Sequence, residues 1–199
     1  MLRRRARTSG QVIQSTYDYE SKYDDPKDDE IQFEQAGQRV SSPPVRHQLV
    51  CKQIGDSLSK RCQEDFVLFY SPIDLIFSEE VIVQPDLLLI SRQRFPSIVR
   101  NRGIIGPPDL VVEVLSATSV KTDKVDKLHT YAYHGIPEYW IVDPNYQSLE
   151  KYVLEGESYG FPVLFTRDER VDSSTIPSAG FSMNEIFDDL LEIPGDDHF

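Results

Sequence analysis

Hydrophobic positions along this chain change their spacing several times, and each change marks an element. Between Val45 and Lys60, Leu49, Ile54 and Leu58 recur at helical spacing, which predicts a helix with one buried side entered through Pro43-Pro44. Upstream, Ile31 to Val40 suits a hairpin or a pair of edge strands. Apolar runs at Phe66–Tyr70, Ile73–Phe77 and Val81–Ile90 predict three strands, broken by turns at Ser71-Pro72 and Ser78-Glu79. An arginine-rich loop follows from Ser91 to Gly106, and then a strand opened by Pro108-Asp109. Next, Thr122 is a candidate N-cap for a helix whose apolar stripe is Leu128, Tyr131 and Ala132, with Gly135 and Pro137 ending it. Tyr139–Val142 is a further strand, Leu149–Leu154 and Pro162–Thr166 a late hairpin around Gly156 and Gly160, and Asn184–Leu191 a short terminal helix.

The order helix, three strands, helix, strand predicts a mixed α/β domain with one core, which suits 199 residues of 39% hydrophobic content. Residues 1–28 are polar and charged without apolar periodicity and are expected to be disordered. The domain is expected over 29–192, with an acidic tail at 193–199. No apolar run approaches the roughly 18 to 20 residues of a membrane span, and the start Met1-Leu-Arg-Arg-Arg lacks the apolar core of a signal peptide. These features point to a cytoplasmic protein. Cys51 and Cys62 lie in one helix-like segment with no His or Cys cluster around them, so reduced core or surface thiols are expected.

The net charge of −12 argues against a surface made for polyanions, but it is unevenly placed. Residues 18–34 and 185–199 each carry −6, residues 1–10 carry +4, and the long middle from 35 to 184 carries only −4. The acidity is a property of the flanks.

Chemistry concentrates at the strand within Gly106–Ser116. Strand alternation puts Asp109, Val111, Glu113 and Leu115 on one face and Leu110, Val112 and Val114 on the other. An apolar surface does not accept an unpaired carboxylate cheaply, so these acids belong at a rim, against cations, or on a metal. Pro85-Asp86 opens an earlier apolar run in the same manner. If the two strands are neighbours, Asp86 and Glu113 converge on one hard cation such as Mg²⁺, which prefers oxygen ligands. The competing readings are that Asp86 caps a turn, that Glu113 forms a buried pair with Lys127, and that Lys127 pairs only with Asp123 one helical turn away.

From about Phe33 to Phe187 the chain resembles the Uma-two restriction-endonuclease family of the PD-(D/E)XK nuclease superfamily. The matching blocks come in order: Phe33-Glu34 to Gly37, Ser42-Pro-Pro-Val-Arg-His47, Gln84-Pro-Asp86, Gly106 to Ser116, Asp123 with Lys127, and Gly135-Ile-Pro-Glu-Tyr-Trp-Ile-Val-Asp-Pro144. The resemblance implies a restriction-endonuclease-like α/β core: a mixed central sheet flanked by helices, with added hairpins at both ends. It also implies a Mg²⁺-dependent endonuclease acting on DNA, with Mn²⁺ as a substitute. Asp86, Glu113 and Lys127 would be catalytic and the two acids would hold the metal. The superfamily's usual lysine, two residues after the second acid, is here Leu115, and Lys127 from the following helix would replace it. Glu34, His47 and Asp109 are further candidates for the site; an exposed edge-strand acid explains Glu34 equally, while a helix-capping or core role is favoured for His47 and a strand-opening role for Asp109. Arg92, Arg94, Arg100, Arg102, Lys121 and Lys124 are candidate DNA contacts. A homodimer would supply one site per strand of duplex. The alternative is a catalytically inactive nuclease fold that binds DNA or a protein partner.

Overall fold

The computed structural model of the chain describes residues 43–116, 119–191 and 193, together with the backbone of 32–35 and 38–41. The segment 1–28, for which disorder was expected, and nearly all of the acidic tail 193–199 lie outside the described residues. In chain order the elements are a hairpin of β1 (Gln32–Gln35) and β2 (Gln38–Ser41), α1 (Val45–Cys62), β3 (Phe66–Tyr70), β4 (Leu75–Ile76), β5 (Ile82–Val83), β6 (Leu87–Ser91), α2 (Phe95–Ile98), β7 (Val99–Arg100), β8 (Gly103–Ile105) and β9 (Leu110–Val114). A π-helical turn, Thr122–Lys127, then leads into α3 (Leu128–Tyr133). The chain continues with β10 (Glu138–Asp143), β11 (Ser148–Glu155), β12 (Ser158–Tyr159), β13 (Val163–Phe165), β14 (Arg170–Val171), β15 (Phe181–Ser182) and α4 (Met183–Phe187).

The main sheet has seven strands in the order β12-β11-β10-β9-β6-β3, with β13 also paired to β11. Its centre is the pair β9 and β10, parallel with Glu113 opposite Ile141, and β6 runs antiparallel to β9 with Leu87 opposite Val112. Each face of this sheet is sealed by its own apolar cluster. Leu87, Leu89, Leu110, Val112, Val114 and Trp140 pack toward α1 and α4. Leu88, Ile90, Val111, Leu115, Tyr139 and Ile141 pack toward α3 and a smaller sheet ordered β5-β4-β8-β7. The alternation expected for β9 is therefore the one observed, because period-two side chains must part to opposite faces when both are covered.

Three expectations need correction. The run Val81–Ile90 is not one strand: β5 joins the smaller sheet and β6 the larger. Pro85 lies between them, and a residue without an N–H cannot continue a ladder. The strand proposed at Ile73–Phe77 shortens to Leu75–Ile76. Thr122 is not an N-cap, since helical structure begins at Val120 and Thr122 lies inside the π turn. On α1 the buried stripe is His47, Val50, Cys51, Ile54, Leu58 and Cys62, with Leu49 only half-buried, so a histidine and two cysteines occupy what the apolar pattern alone leaves vacant.

Glu138, at the start of β10, is fully buried and accepts hydrogen bonds from Trp140 Nε1 (2.6 Å), the Ser173 and Thr175 hydroxyls and the Ser174 and Thr175 N–H groups. One carboxylate thereby satisfies the turn that covers this end of the sheet. Glu138→Ala orphans these donors, and urea denaturation is expected to show a loss of about 3 kcal/mol or more.

Candidate active site

Asp86 immediately precedes β6, Glu113 lies in β9, and the antiparallel register makes them neighbours across the two strands. The Asp86 N–H points to Glu113 Oε2 at 3.4 Å, and Asp86 Oδ2 accepts the N–H of Val114 at 2.8 Å. Asp86 is thus fixed by the backbone of the strand that carries its partner. Glu113 is almost fully buried, and its Oε1 receives two donors: Lys127 Nζ at 2.9 Å and the Tyr131 hydroxyl at 2.7 Å. Lys127 Nζ also reaches Asp123 Oδ1 at 2.8 Å. Asp123 and Lys127 are four residues apart, and the wider π turn sends both toward the sheet; such turns recur at functional sites.

Leu115 is buried in the apolar cluster beneath α3, so a lysine there would place an ammonium among hydrocarbon side chains. Lys127 delivers the charge from the helix side instead.

The electrostatics follow from a mismatch. Glu113 and Asp123 share a single ammonium, both with side chains only 2% exposed, while Asp86 lies beside Glu113 and against His47. Burial pushes the Glu113 carboxyl up to about 8; the nearby Lys127 opposes this, while Asp86 and Asp123 add to it. Burial works against the Lys127 ammonium, but Glu113 and Asp123 hold its pKa above the ordinary lysine value. Asp123 Oδ1 has the charge contact with Lys127 but no aligned hydrogen bond. A buried oxygen without an aligned donor, next to a carboxyl that burial drives toward protonation, fits a site short of positive charge. Oxygen donors of this kind suit a hard cation such as Mg²⁺.

Other candidates fall into place around this centre. His47 is buried on α1 with Nε2 3.1 Å from Asp86 Oδ2, which puts it against the site. Asp109 does not join the site. It accepts the Ser91 N–H at 2.7 Å and pairs with Arg94 at 2.8 Å, tying the start of β9 to the end of β6. Glu34 lies in β1 opposite Arg39, in a two-stranded sheet of its own, and its side chain is outside the described residues.

The proposed DNA-contacting loop is largely turned on itself. Arg92 donates to Gln63 O, Arg94 to Asp109 and Pro107 O, and Arg100 to the carbonyls of Pro96, Ser97 and Val99. A tight loop leaves backbone carbonyls unpaired, and guanidinium forks satisfy them. Lys124 pairs with Glu150 at 2.6 Å. Arg102 and Lys121 are exposed.

Sequence reasoning passed over Tyr131 as a site residue, assigning it to the apolar stripe of its helix. Its ring does pack edge-on to Tyr139 at 5.0 Å, and only the hydroxyl reveals the second role. A buried tyrosine must place its hydroxyl somewhere, which is the signal that was available. Tyr131→Phe removes one of two donors to Glu113 and is expected to weaken divalent-cation binding about ten- to a hundredfold with the fold retained, measured from the cation-induced rise in melting temperature.

Residues 17–185 match the model of the Uma2 family, described as putative restriction endonuclease. The chain belongs to this family. A crystal structure of a putative nuclease belonging to DUF820 from Anabaena variabilis ATCC 29413 is similar in fold, with a TM-score of 0.61 at 20% identity over 77% of this chain and 88% of that one. No curated protein matches the sequence. The mixed sheets flanked by helices are accordingly a restriction-endonuclease-like α/β core. Among the described residues, no helix is long and apolar enough to cross a membrane.

Proposed function

We propose that this Uma2 chain is a Mg²⁺-dependent cytoplasmic endonuclease that hydrolyses DNA phosphodiester bonds with a PD-(D/E)XK-type site. The observation that carries the proposal is the meeting of Asp86, Glu113 and Lys127 from two strands and a helix at the end of the β6–β9 pair. Asp86 and Glu113 would hold the cation. When bound, Mg²⁺ supplies Lewis-acid polarisation of the scissile phosphate and lowers the pKa of a bound water. Glu113 would hold the cation as its carboxylate, any proton on it passing to solvent, with Tyr131 and Lys127 orienting its Oε1. The Lys127 ammonium, 18% exposed, is the donor that can turn from Glu113 toward an attacking water and offset charge gathering on the phosphate oxygens. The attacking water loses a proton to bulk solvent as its oxygen bonds to phosphorus, the bond to the leaving sugar oxygen breaks, and solvent returns a proton to that oxygen. Arg102 and Lys121, both exposed, would be available to meet the DNA backbone.

Plasmid nicking in Mg²⁺ or Mn²⁺, absent in chelator, is the expected result. The second reading, an inactive fold that binds DNA or a protein partner, is favoured by how fully Lys127 is paired with its two acids. It predicts no cleavage and no response of melting temperature to either ion. We further propose a homodimer, with the outer strands β12 and β13 as the edge a second copy covers; Val163 and Leu164 there are half exposed. Light scattering should give twice the 22.9 kDa of one chain, and the monomer mass would exclude it.

A further inference from the structure

Two metal-ligating side chains lie beside the acids and have no part in the proposed hydrolysis. His47 and Cys51, one turn apart on the buried face of α1, stand with Asp86 so that a ligand atom from each lies within 4.8 Å of the others. The imidazole bridges the other two, with Nδ1 3.6 Å from Cys51 Sγ and Nε2 3.1 Å from Asp86 Oδ2. His47 and Cys51 are buried, and the Asp86 side chain keeps 17% of its surface open, which gives an ion a way in.

A nitrogen, a sulfur and an oxygen donor are the wrong set for Mg²⁺ and the right set for Zn²⁺, which takes thiolate, imidazole and carboxylate together and binds such sites more tightly than harder divalent ions. Two of the donors are on one rigid helical turn, and the third is on a strand start fixed by the Val114 N–H. Little order therefore has to be created on binding. The histidine ring has to turn, since it now points one nitrogen at each neighbour.

We infer that His47, Cys51 and Asp86 form a second, inhibitory site for Zn²⁺ or a similarly soft divalent cation. Asp86 is shared between this site and the Asp86–Glu113 pair. An ion held by His47 and Cys51 draws Asp86 to itself, and the hard-cation site is left with Glu113 alone. Zn²⁺ then opposes Mg²⁺ without competing with DNA. The effect on cleavage rests on the nuclease reading; the binding rests only on the three donors.

The test uses the full chain and Co²⁺ as a spectroscopic stand-in for Zn²⁺. Co²⁺ should raise a sulfur-to-cobalt charge-transfer band that stoichiometric Zn²⁺ bleaches and that Mg²⁺ weakens only in large excess, by drawing Asp86 away. Cys51→Ser should lose the band and Cys62→Ser should keep it, because Cys62 is three turns away at the far end of α1 beside Ser178. His47→Gln should bind about tenfold more weakly or worse. A wild-type protein with no band, or a band that survives Cys51→Ser, overturns the site. If Cys51→Ser does not fold, the band in wild type and its weakening in His47→Gln decide the matter. Zn²⁺ should also suppress Mg²⁺-driven nicking, each variant being compared with its own zinc-free rate. Nicking indifferent to Zn²⁺ in a protein that shows the band overturns the inhibition alone, and a band in a protein that never nicks DNA overturns the nuclease reading while leaving the binding site standing.

Discussion

Glu113→Gln is expected to abolish Mg²⁺-dependent nicking and at the same time to raise the melting temperature of the cation-free protein at pH 8. Both effects come from one buried carboxyl. In the unfolded chain Glu113 titrates near 4.5, and in the folded protein burial lifts it to about 8. The folded state therefore binds the proton more tightly than the unfolded state does. Stability from this group is fully present below about 4.5 and is lost as pH rises toward 8, where the carboxylate must be carried in the core. Glutamine removes that penalty while keeping shape and an acceptor for Tyr131, and Lys127 retains Asp123. The variant's melting curve should be flatter between pH 5 and 8 than that of the wild type. Cations report on the same group. Mg²⁺ or Mn²⁺ binds the ionised form, so its stabilising effect on the wild type should grow with pH up to about 8, whereas Glu113→Gln should show little cation response at any pH. A variant that melts well below wild type at pH 8 would mean that Glu113 is held as a structural ion, and the cation site would have to be sought elsewhere.

The strand β9 shows how much of this was legible in the sequence. Its alternation placed Glu113 on the Leu115 face and Val112 on the other, and Pro108-Asp109 marked its start, whereas the break at Pro85-Asp86 was read through as one strand from Val81 to Ile90. Periodicity is a local property and survives folding wherever both faces of a sheet are covered. What it could not supply is partnership between residues far apart. Asp109 and Asp86 look alike in sequence, yet one is committed to Arg94 and Ser91 and the other to the site. The arginines of the Ser91–Gly106 loop looked available for phosphate, but Arg92 is taken up by Gln63 O, Arg94 by Asp109 and Pro107 O, and Arg100 by carbonyls of the loop itself. Cys51 looked like an inert core thiol, and the imidazole beside it is contributed by its own helix one turn earlier. That spacing was open to inspection in the sequence, while its meeting with Asp86, 35 residues beyond Cys51, required the fold.

Lys127→Met separates a catalytic lysine from a structural one, because the two roles predict different responses to cation. Lys127 is the ammonium between Glu113 and Asp123, both almost without solvent. Deleting one member of such a group leaves buried charge uncompensated, at a cost of about 3 to 5 kcal/mol. In a domain of this size that lowers the melting temperature on the order of 10 °C. On the nuclease reading, nicking is lost but Mg²⁺ or Mn²⁺ still binds Asp86 and Glu113. The ion then supplies the missing positive charge, so it should stabilise Lys127→Met more than it stabilises the wild type. Lys127→Met combined with Glu113→Gln should regain part of the lost stability in the absence of cation and should lose the cation rescue. A purely structural pair gives the same initial drop with no rescue by either ion, in a protein whose wild type neither nicks DNA nor responds to them. That outcome would leave the restriction-endonuclease-like fold in place and remove the chemistry from it.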